Sequence, residues 1–509
     1  MADKAAFLAV FYVAFAGLIL SFCIERLLRP SPVLAARPFS AWRLHGGLWT
    51  LAFCVLVLAT GRPWFAAAGV SAILLLLVLV SNAKFKSLRE PFVWQDYWYF
   101  SHALRYPRLY LPFLGWGRGM AAALGLLLAV LSGLVLEHAP TGRFSPTGQT
   151  GGVLILIAAG LLLLSVGERR SSPLTLEADR DLVNHGLLAC LWRYAIAGRK
   201  PPRVTGPFAA SIRSETDASL PDLIAVQSES FFDPRPLFAG IRGDALAEFD
   251  RLKDASMAHG RLKVPAWGAN TVRTEFAFLS GLNEDDLGIH RFNPYLPILA
   301  GWRPRALPLL LKDLGYRTVC IHPYHSGFYR RNRVYPLLGF DEFLDIRAFA
   351  GAERRGPYVS DAAVMAKLEG LLDRAGGPLF VFVITMENHG PLHLEKVRGA
   401  DLADLFTTPP PSGCDDLTIY LRHLRNADRM IGALRQRLDR HHRPAGLCWF
   451  GDHVPIMPGV YARFGAPPPE VEYAIWVNGD VSRAPEQTRR AHELATCWLG
   501  AVNLAHLVR

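Results

Sequence analysis

Four segments of this 509-residue chain place carboxylate or imidazole groups just after a short apolar run. Glu229 stands in "QSESFF" after residues 223–226, and His322 and His325 follow 318–321. Glu387 and His389 stand in "TMENHGP" after 379–384, and Asp452 and His453 are adjacent in "GDHVP" after 447–450. One such group is normally a turn or cap residue, because short polar side chains bond their own backbone there. Four run ends that deliver Glu, His, His and Asp-His to one rim make a constellation. Carboxylate with imidazole suits a divalent ion such as Mn2+ or Zn2+, and the lack of Cys ligands argues against a structural zinc. A nucleophile is also on offer. In "VPAWGANTVRTEFAFLSGL", Gly268 and Asn270 precede Thr271, and Phe276, Leu279 and Leu282 follow at helical spacing. Thr271 thus belongs at or near a helix N-terminus, where unpaired N–H groups favour an anion. It is either a plain N-cap or, beside a metal that eases loss of its proton, a nucleophile.

The elements that must position these groups are legible in the same stretch. Apolar runs at 223–226, 318–321, 379–384, 447–450 and 473–477 alternate with amphipathic stretches at 361–374 and 416–440. In the second of these, Leu417, Leu421, Leu424, Ile431 and Leu434 recur at helical spacing. Buried strands alternating with helices predict an α/β domain with a largely parallel sheet covered on both faces. Sites in such folds form beyond the carboxyl ends of the strands, where the Glu, His and Asp groups lie.

The first third of the chain is different. Charge-free runs at 5–24, 46–61, 63–83, 119–136 and 144–167 are long enough, or nearly so, to cross a bilayer, which takes about 20 residues. The first has only Lys4 before it and no small-residue cleavage site after it, so it reads as an anchor and not a removable signal. The charge follows this division. Residues 1–200 hold 19 Lys and Arg against 9 Asp and Glu, whereas the other 309 residues hold 36 against 35. The net charge of +11 therefore belongs to the apolar half and speaks for contact with anionic lipid, not nucleic acid. The segment "KFKSLREPFVWQDYWYF" mixes Lys84, Lys86 and Arg89 with Trp94, Tyr97, Trp98, Tyr99 and Phe100. It suits either a helix at the headgroup level or an ordinary aromatic belt. The expected division is a transmembrane domain of about five helices over 1–170, a Pro-rich basic linker over 171–207 and an α/β domain over 208–509. Seven scattered cysteines with no C-x-x-C pair exclude a thiolate zinc site and a dense disulfide framework.

Glu229 in "QSESF", Thr271 in "WGANTVRTEF", the stretch "GYRTVCIHPYHSGFYRRNRVYPLLGFDEF", "ENHGP" and "GDH" together resemble the lipoteichoic acid synthase and periplasmic-glucan phosphoglycerol transferase family, within the alkaline phosphatase/sulfatase superfamily. The resemblance runs in motif order over about 220–480. It implies that Glu229, Thr271, Asp452 and His453 are metal ligands, with Mn2+ the usual ion and Mg2+ or Zn2+ the alternatives, and that Thr271 is the nucleophile. It implies that His389 contacts the transferred phosphate, and that His322 or His325, Tyr329 and Arg331 surround the glycerol phosphate. Tyr329 stands where some members carry Trp. Sulfatases need a Cys or Ser in a C/S-x-P-x-R context, which "NTVRTE" lacks, so sulfate-ester hydrolysis is not expected.

The activity so implied is transfer of glycerol phosphate from phosphatidylglycerol to a glycan or polyglycerol-phosphate acceptor. Membrane lipids are partners and nucleic acid is not. Transfer of phosphoethanolamine, phosphodiester hydrolysis, or an inactive envelope lipid- or glycan-binding role are the alternatives. The resemblance places a multi-pass protein in a bacterial cytoplasmic membrane, with the catalytic domain on the extracytoplasmic, periplasmic side. The loop charges argue the other way: with five spans, Arg26, Arg29, Arg37 and Arg43 share the side of the catalytic domain and would be cytoplasmic by the positive-inside rule.

Overall fold

Charge-free runs in the first 200 residues fold as long helices. The computed structural model describes residues 2–99, isolated positions between 105 and 137, 148–209, 220–480, 483–504 and 506, and it divides into two units, Met1–Lys200 and Pro201–Arg509. In the first, Phe7–Glu25, Phe39–Thr60, Pro63–Leu88 and Gln149–Arg169 are long and apolar enough to cross a membrane. Tyr12, Phe15, Val55 and Leu162 on these helices stay more than half exposed, as lipid-facing side chains do. The second span is longer than the charge-free run at 46–61, because its helix begins at Phe39 and continues through Arg43 and His45. The expected span at 119–136 falls largely outside the described residues.

Small residues bring two of these helices together. A Cβ on Gly47 would lie 2.8 Å from the Gly160 carbonyl oxygen, and one on Gly167 would lie 3.1 Å from that of Ser40. Backbones that approach this closely are the usual membrane-helix contact. Buried Glu25 lies 2.9 Å from Arg37 and 3.2 Å from His45. Lys84 lies 2.7 Å from Glu90 and 2.6 Å from Asp96, so the first lysine of the aromatic-basic segment is taken up within its own turn.

Residues 171–207 differ from the linker expected of them. They hold two helices, Ala178–His185 and Leu187–Ala197. Leu182, Leu187 and Leu191 pack with Leu28, Leu74, Val78 and Phe92, so the segment up to Lys200 belongs to the first unit by burial. The division between the units falls at Lys200 and Pro201, inside the Pro-rich stretch Arg199–Pro207 that suggested a boundary.

Among the described residues the second unit is built on one sheet of eight strands: β1 (Asp222–Ser228), β2 (Ala258–Lys263), β3 (Arg317–Ile321), β4 (Glu342–Leu344), β7 (Leu379–Ile384), β8 (Ala445–Gly451), β9 (Glu470–Val477) and β10 (Arg489–Arg490). Their order is β10-β2-β9-β8-β1-β7-β3-β4, and a separate small hairpin joins β5 (Arg354–Arg355) to β6 (Tyr358–Val359). The run from β8 to β4 is parallel throughout, whereas β9 is antiparallel to both neighbours. β1 and β7 are fully buried along their length, as strands of a covered parallel sheet must be. Phe278 of the helix Thr271–Ser280 lies over one face, 4.7 Å from the Phe450 ring and 5.7 Å from Phe382. The helix Asp415–Asp439 buries Leu417, Leu421, Leu424, Ile431 and Leu434, the stripe its spacing predicts.

All five apolar runs became strands. The strand β2 was not foreseen, because "AHGRLK" is polar at alternate positions and only its Ala258, Gly260 and Leu262 side is buried.

Candidate active site

Parallel pairing puts the ends of β8, β1, β7 and β3 on one edge of the sheet. Ser228 of β1 is in register with Gly451 of β8, so the next residues, Glu229 and Asp452, emerge side by side. Gly451 permits that register, since a Cβ there would drive into the Phe231 carbonyl oxygen. Ser230 holds the turn after β1: its N–H donates to Asp452 Oδ1 (2.8 Å) and its hydroxyl to Glu229 Oε1 (2.9 Å). The Glu229 N–H donates to the Thr385 hydroxyl (2.9 Å) beyond β7.

Glu229, Asp452 and His453 offer ligand atoms that all lie within 4.8 Å of one another, and all three residues are buried. His453 Nδ1–H donates to the Val454 carbonyl (3.2 Å), which leaves Nε2 as the lone-pair nitrogen. That Nε2 lies 3.6 Å from Glu229 Oε1 and 3.3 Å from Asp452 Oδ2. Asp452 Oδ2 is buried without a hydrogen-bond partner among the described residues. Burial and the adjacent Asp452 carboxylate push Glu229 up to about 8. Two carboxylates and one imidazole converging with an unmet oxygen fit a divalent cation, which would supply the charge the pair lacks.

Thr271 opens the helix Thr271–Ser280, and the residue before it, Asn270 (φ 64°), takes the N-cap position. Thr271 is therefore not the cap. Its hydroxyl lies 3.4 Å from His453 Nε2, next to the three ligand groups and at a helix N-terminus. Three residues on, the Thr274 hydroxyl donates to the Asp452 carbonyl (2.7 Å) and ties the helix to the end of β8.

Arg331 and His322 form a second layer. Arg331, 1% exposed, donates to Glu275 through Nε (3.2 Å) and Nη2 (2.7 Å), and through Nη1 to His322 Nε2 (3.1 Å). Since a guanidinium only donates and a carbonyl only accepts, His322 must carry its proton on Nδ1, facing the Ile384 carbonyl at 3.2 Å. Burial and the Arg331 charge hold its pKa well below the ordinary histidine value. The Tyr329 ring lies under the Arg331 guanidinium, 5.0 Å from Cζ to the ring centre. Glu275 also accepts from the hydroxyls of Tyr295 and Tyr335. His325 stays apart: it is exposed, with its ring 5.2 Å from Tyr324.

His389 is half-buried, and its Nδ1–H donates to the Gly390 carbonyl (2.6 Å), leaving Nε2 free to take a proton. Burial lowers its pKa, against the Gly390 bond and Asp452. The Tyr358 ring packs at an angle against it, 5.5 Å away. Glu387 turns inward instead, accepting from the Asp361 N–H (2.8 Å) and lying 3.0 Å from His423 Nδ1.

Sequence reasoning missed Glu275, Ser230, Thr385 and Tyr358. Glu275 had a signal, since it follows Thr271 by four residues and so shares its helix face. Ser230 adjoins Glu229 and Thr385 directly follows β7, whereas Tyr358 arrives by tertiary contact.

Residues 221–504 match the sulfatase family. The chain belongs to it. A capsular polysaccharide biosynthesis protein of Rhizobium meliloti, RkpI, is 29% identical over 473 residues, 87% of this chain and 82% of the relative. The lipooligosaccharide phosphoethanolamine transferase EptA of Neisseria meningitidis is similar in fold along almost the whole length, with a TM-score of 0.60 over 98% of this chain and 96% of that one, at 13% identity. The Streptococcus pyogenes phosphoglycerol transferase GacH covers 62% of this chain and 82% of its own, with a TM-score of 0.47 at 19% identity. Apolar helices followed by a sulfatase-like α/β domain are thus the shared architecture. The segment "NTVRTE" around Thr271 lacks the C/S-x-P-x-R context that sulfate-ester hydrolysis needs.

Proposed function

We propose that this protein is a membrane-anchored transferase that moves a glycerol-phosphate headgroup from phosphatidylglycerol to a glycan or polyglycerol-phosphate acceptor through a covalent Thr271 intermediate. The observation that carries the reading is the Thr271 hydroxyl 3.4 Å from His453 Nε2, at a helix N-terminus beside buried Glu229 and Asp452. The ordered motifs that resemble phosphoglycerol transferases select the headgroup. All seven cysteines are free, which speaks against the disulfide-rich phosphoethanolamine branch.

Glu229, Thr271, Asp452 and His453 would hold one divalent ion, Mn2+ in the first instance and otherwise Mg2+ or Zn2+. Bound there, such an ion polarises a phosphate oxygen and makes a neighbouring hydroxyl more acidic. The Thr271 oxygen attacks phosphorus, the bond from phosphorus to the diacylglycerol oxygen breaks, and that oxygen takes a proton and leaves. An acceptor hydroxyl then attacks the same phosphorus, gives up its proton, and returns Thr271 to its hydroxyl form. Charge on the equatorial oxygens is met by N–H groups at the helix start, by Arg331 and by His389, which is most of what phosphoryl transfer asks of a protein. Tyr329 and His322 stand around the glycerol moiety in this reading, with His322 acting through Arg331, while exposed His325 is not part of that group.

The domain is placed on the extracytoplasmic side of the cytoplasmic membrane, where such acceptors occur. Domain limits follow the packing, with the membrane part ending near Lys200. The test is trapping of the intermediate. Full-length protein in phosphatidylglycerol vesicles should carry a glycerol-phosphate mass on Thr271, and Thr271→Ala should release no diacylglycerol. A phosphoethanolamine mass, or diacylglycerol from the Ala variant, would sink the proposal.

A further inference from the structure

A second polar cavity lies in the catalytic unit, walled by the turn after β5, the helix Gly399–Leu405 and the helix Asp415–Asp439. Its volume is about 180 Å3, several times the roughly 30 Å3 that one water takes up in the liquid. Arg355, Arg398, Arg422, Arg425, Arg429 and His423 line it, against Glu395, Asp401 and Asp404. Leu405 is the one large apolar side chain among its described lining residues, so it offers little to an acyl chain.

The arginines are unevenly satisfied. Arg422 pairs with Asp401 (2.6 Å) and Glu395 (3.4 Å), and Arg355 with Glu353 (2.7 Å). Among the described residues, Arg398, Arg425 and Arg429 have no carboxylate within ion-pair distance; Arg425 reaches the Asp404 carbonyl and Arg429 the Asn426 amide oxygen. Arg422, Arg425 and Arg429 share one helix face, where like charges three and four residues apart oppose the helix. Such an arrangement is relieved by an anion held in the arginine forks, whose geometry matches carboxylate and phosphate.

The cavity is also tied to the site already described. His423 bridges its wall, 3.0 Å from Glu395 Oε1 on one side and 3.0 Å from Glu387 Oε1 on the other. Glu387 stands two residues before His389, in the loop after β7.

We propose that this arginine cavity is a binding site for the oxyanion groups, phosphodiester or carboxylate, of an anionic acceptor chain. The proposal rests on the transferase reading for the word acceptor and on the cavity alone for the anion. Two labelled probes test it, a glycerol-phosphate tetramer and tetragalacturonate, with a neutral glucan tetramer as control. Binding is measured to the full-length chain in detergent, carrying Thr271→Ala so that nothing is consumed. At least one anionic probe should bind, weaken steeply between 50 and 200 mM salt as screened charges do, and lose at least tenfold in affinity on Arg398→Ala/Arg425→Ala/Arg429→Ala. The single Arg429→Glu, at an exposed position, should lose at least threefold without disturbing the fold. Equal binding of the neutral tetramer, or full affinity in both variants, overturns the proposal. Diacylglycerol release by the parent chain is read separately. Its absence alongside arginine-dependent binding would reject the transferase reading and leave the anion site standing.

Discussion

Replacing Glu275 by Gln should uncouple Arg331 from the helix that carries Thr271. Glu275 is fully buried and accepts from Arg331 Nε and Nη2 and from two tyrosine hydroxyls. His322 cannot take over, because its Nε2 already accepts from Arg331 Nη1 and its neutral ring carries no charge to offset the guanidinium. The amide keeps one acceptor oxygen but carries no charge to offset the guanidinium, which only donates. Removing one partner of a buried pair costs about 3–5 kcal/mol, most of it the price of an uncompensated charge. For a unit of this size that lowers the melting temperature by on the order of 10 °C. The displaced Arg331 should also cost about a hundredfold in diacylglycerol release, the scale of losing one preorganised donor. Thermal unfolding in detergent and a release assay in vesicles read the two effects. The double change Glu275→Gln/Arg331→Met separates them, since removing the cation should restore at least half the stability while release stays low. If Glu275→Gln unfolds within about 1 kcal/mol of the parent and releases lipid at the parental rate, Glu275 does not position Arg331.

Three further outcomes follow from the site. Asp452→Asn removes the buried carboxylate oxygen that lacks a partner, so Mn2+ retained after dialysis should fall at least tenfold; undiminished metal content would remove Asp452 from the ligand set. Gly451→Ala sets a methyl group against the Phe231 carbonyl and should cost about 1–3 kcal/mol by overpacking, read as a lower unfolding midpoint in urea. An unchanged midpoint would show that the β1 turn yields freely. Burial pulls His423 down, but its bonds to Glu387 and Glu395 outweigh that and hold it up at about 9. Its folded value lies above the ordinary one near 6.5, so its contribution, about 3 kcal/mol, is full below pH 6.5 and is lost as pH rises through about 9. The stability difference between parent and His423→Gln should shrink over that range, and a difference flat in pH would show that His423 is not held as a cation.

Much of this was legible because the informative groups sit where chain geometry is simplest. A run such as 379–384 can only be a buried strand or a helix fragment, and its shortness decides the matter; the residue after it is then on the sheet rim by construction. Asp452, His453 and Glu229 were found in that way. The same reasoning had no means to separate His322 from His325. They are three residues apart in a loop of irregular backbone, where Tyr329 (φ 53°) and Arg330 (φ 55°) both take left-handed conformations. Ser230 (φ 51°) is another such case, a serine whose unusual turn lets it serve both carboxylates. The linker expectation failed for a different reason. Composition around Arg199–Pro207 marks a break, yet the helices before it carry leucines whose partners lie far upstream, from Leu28 to Phe92, and no local pattern reveals a partner.

The register of two strands accounts for the centre of the site more fully than any single side chain. With Ser228 opposite Gly451, Glu229 and Asp452 leave neighbouring strands at the same level, in a sheet whose strands lie about 4.8 Å apart. From that level the Glu229 and Asp452 carboxylates and the His453 imidazole bring ligand atoms within 4.8 Å of one another. Side chains alternate between faces along a strand, so a slip of one residue in β8 would turn Asp452 to the opposite face and bring His453 opposite Glu229. The stretch Ala445–Gly451 is buried throughout and so resists slipping, while Gly451 admits the Phe231 carbonyl that a longer residue would push away. Thr271 comes from outside this frame, on a helix fastened to β8 by the Thr274 bond to the Asp452 carbonyl. Thr271 and Asp452 thus share one backbone anchor, and a displacement of the end of β8 moves both together. Conservation of their separation under such motion is what the proposed attack by Thr271 would require.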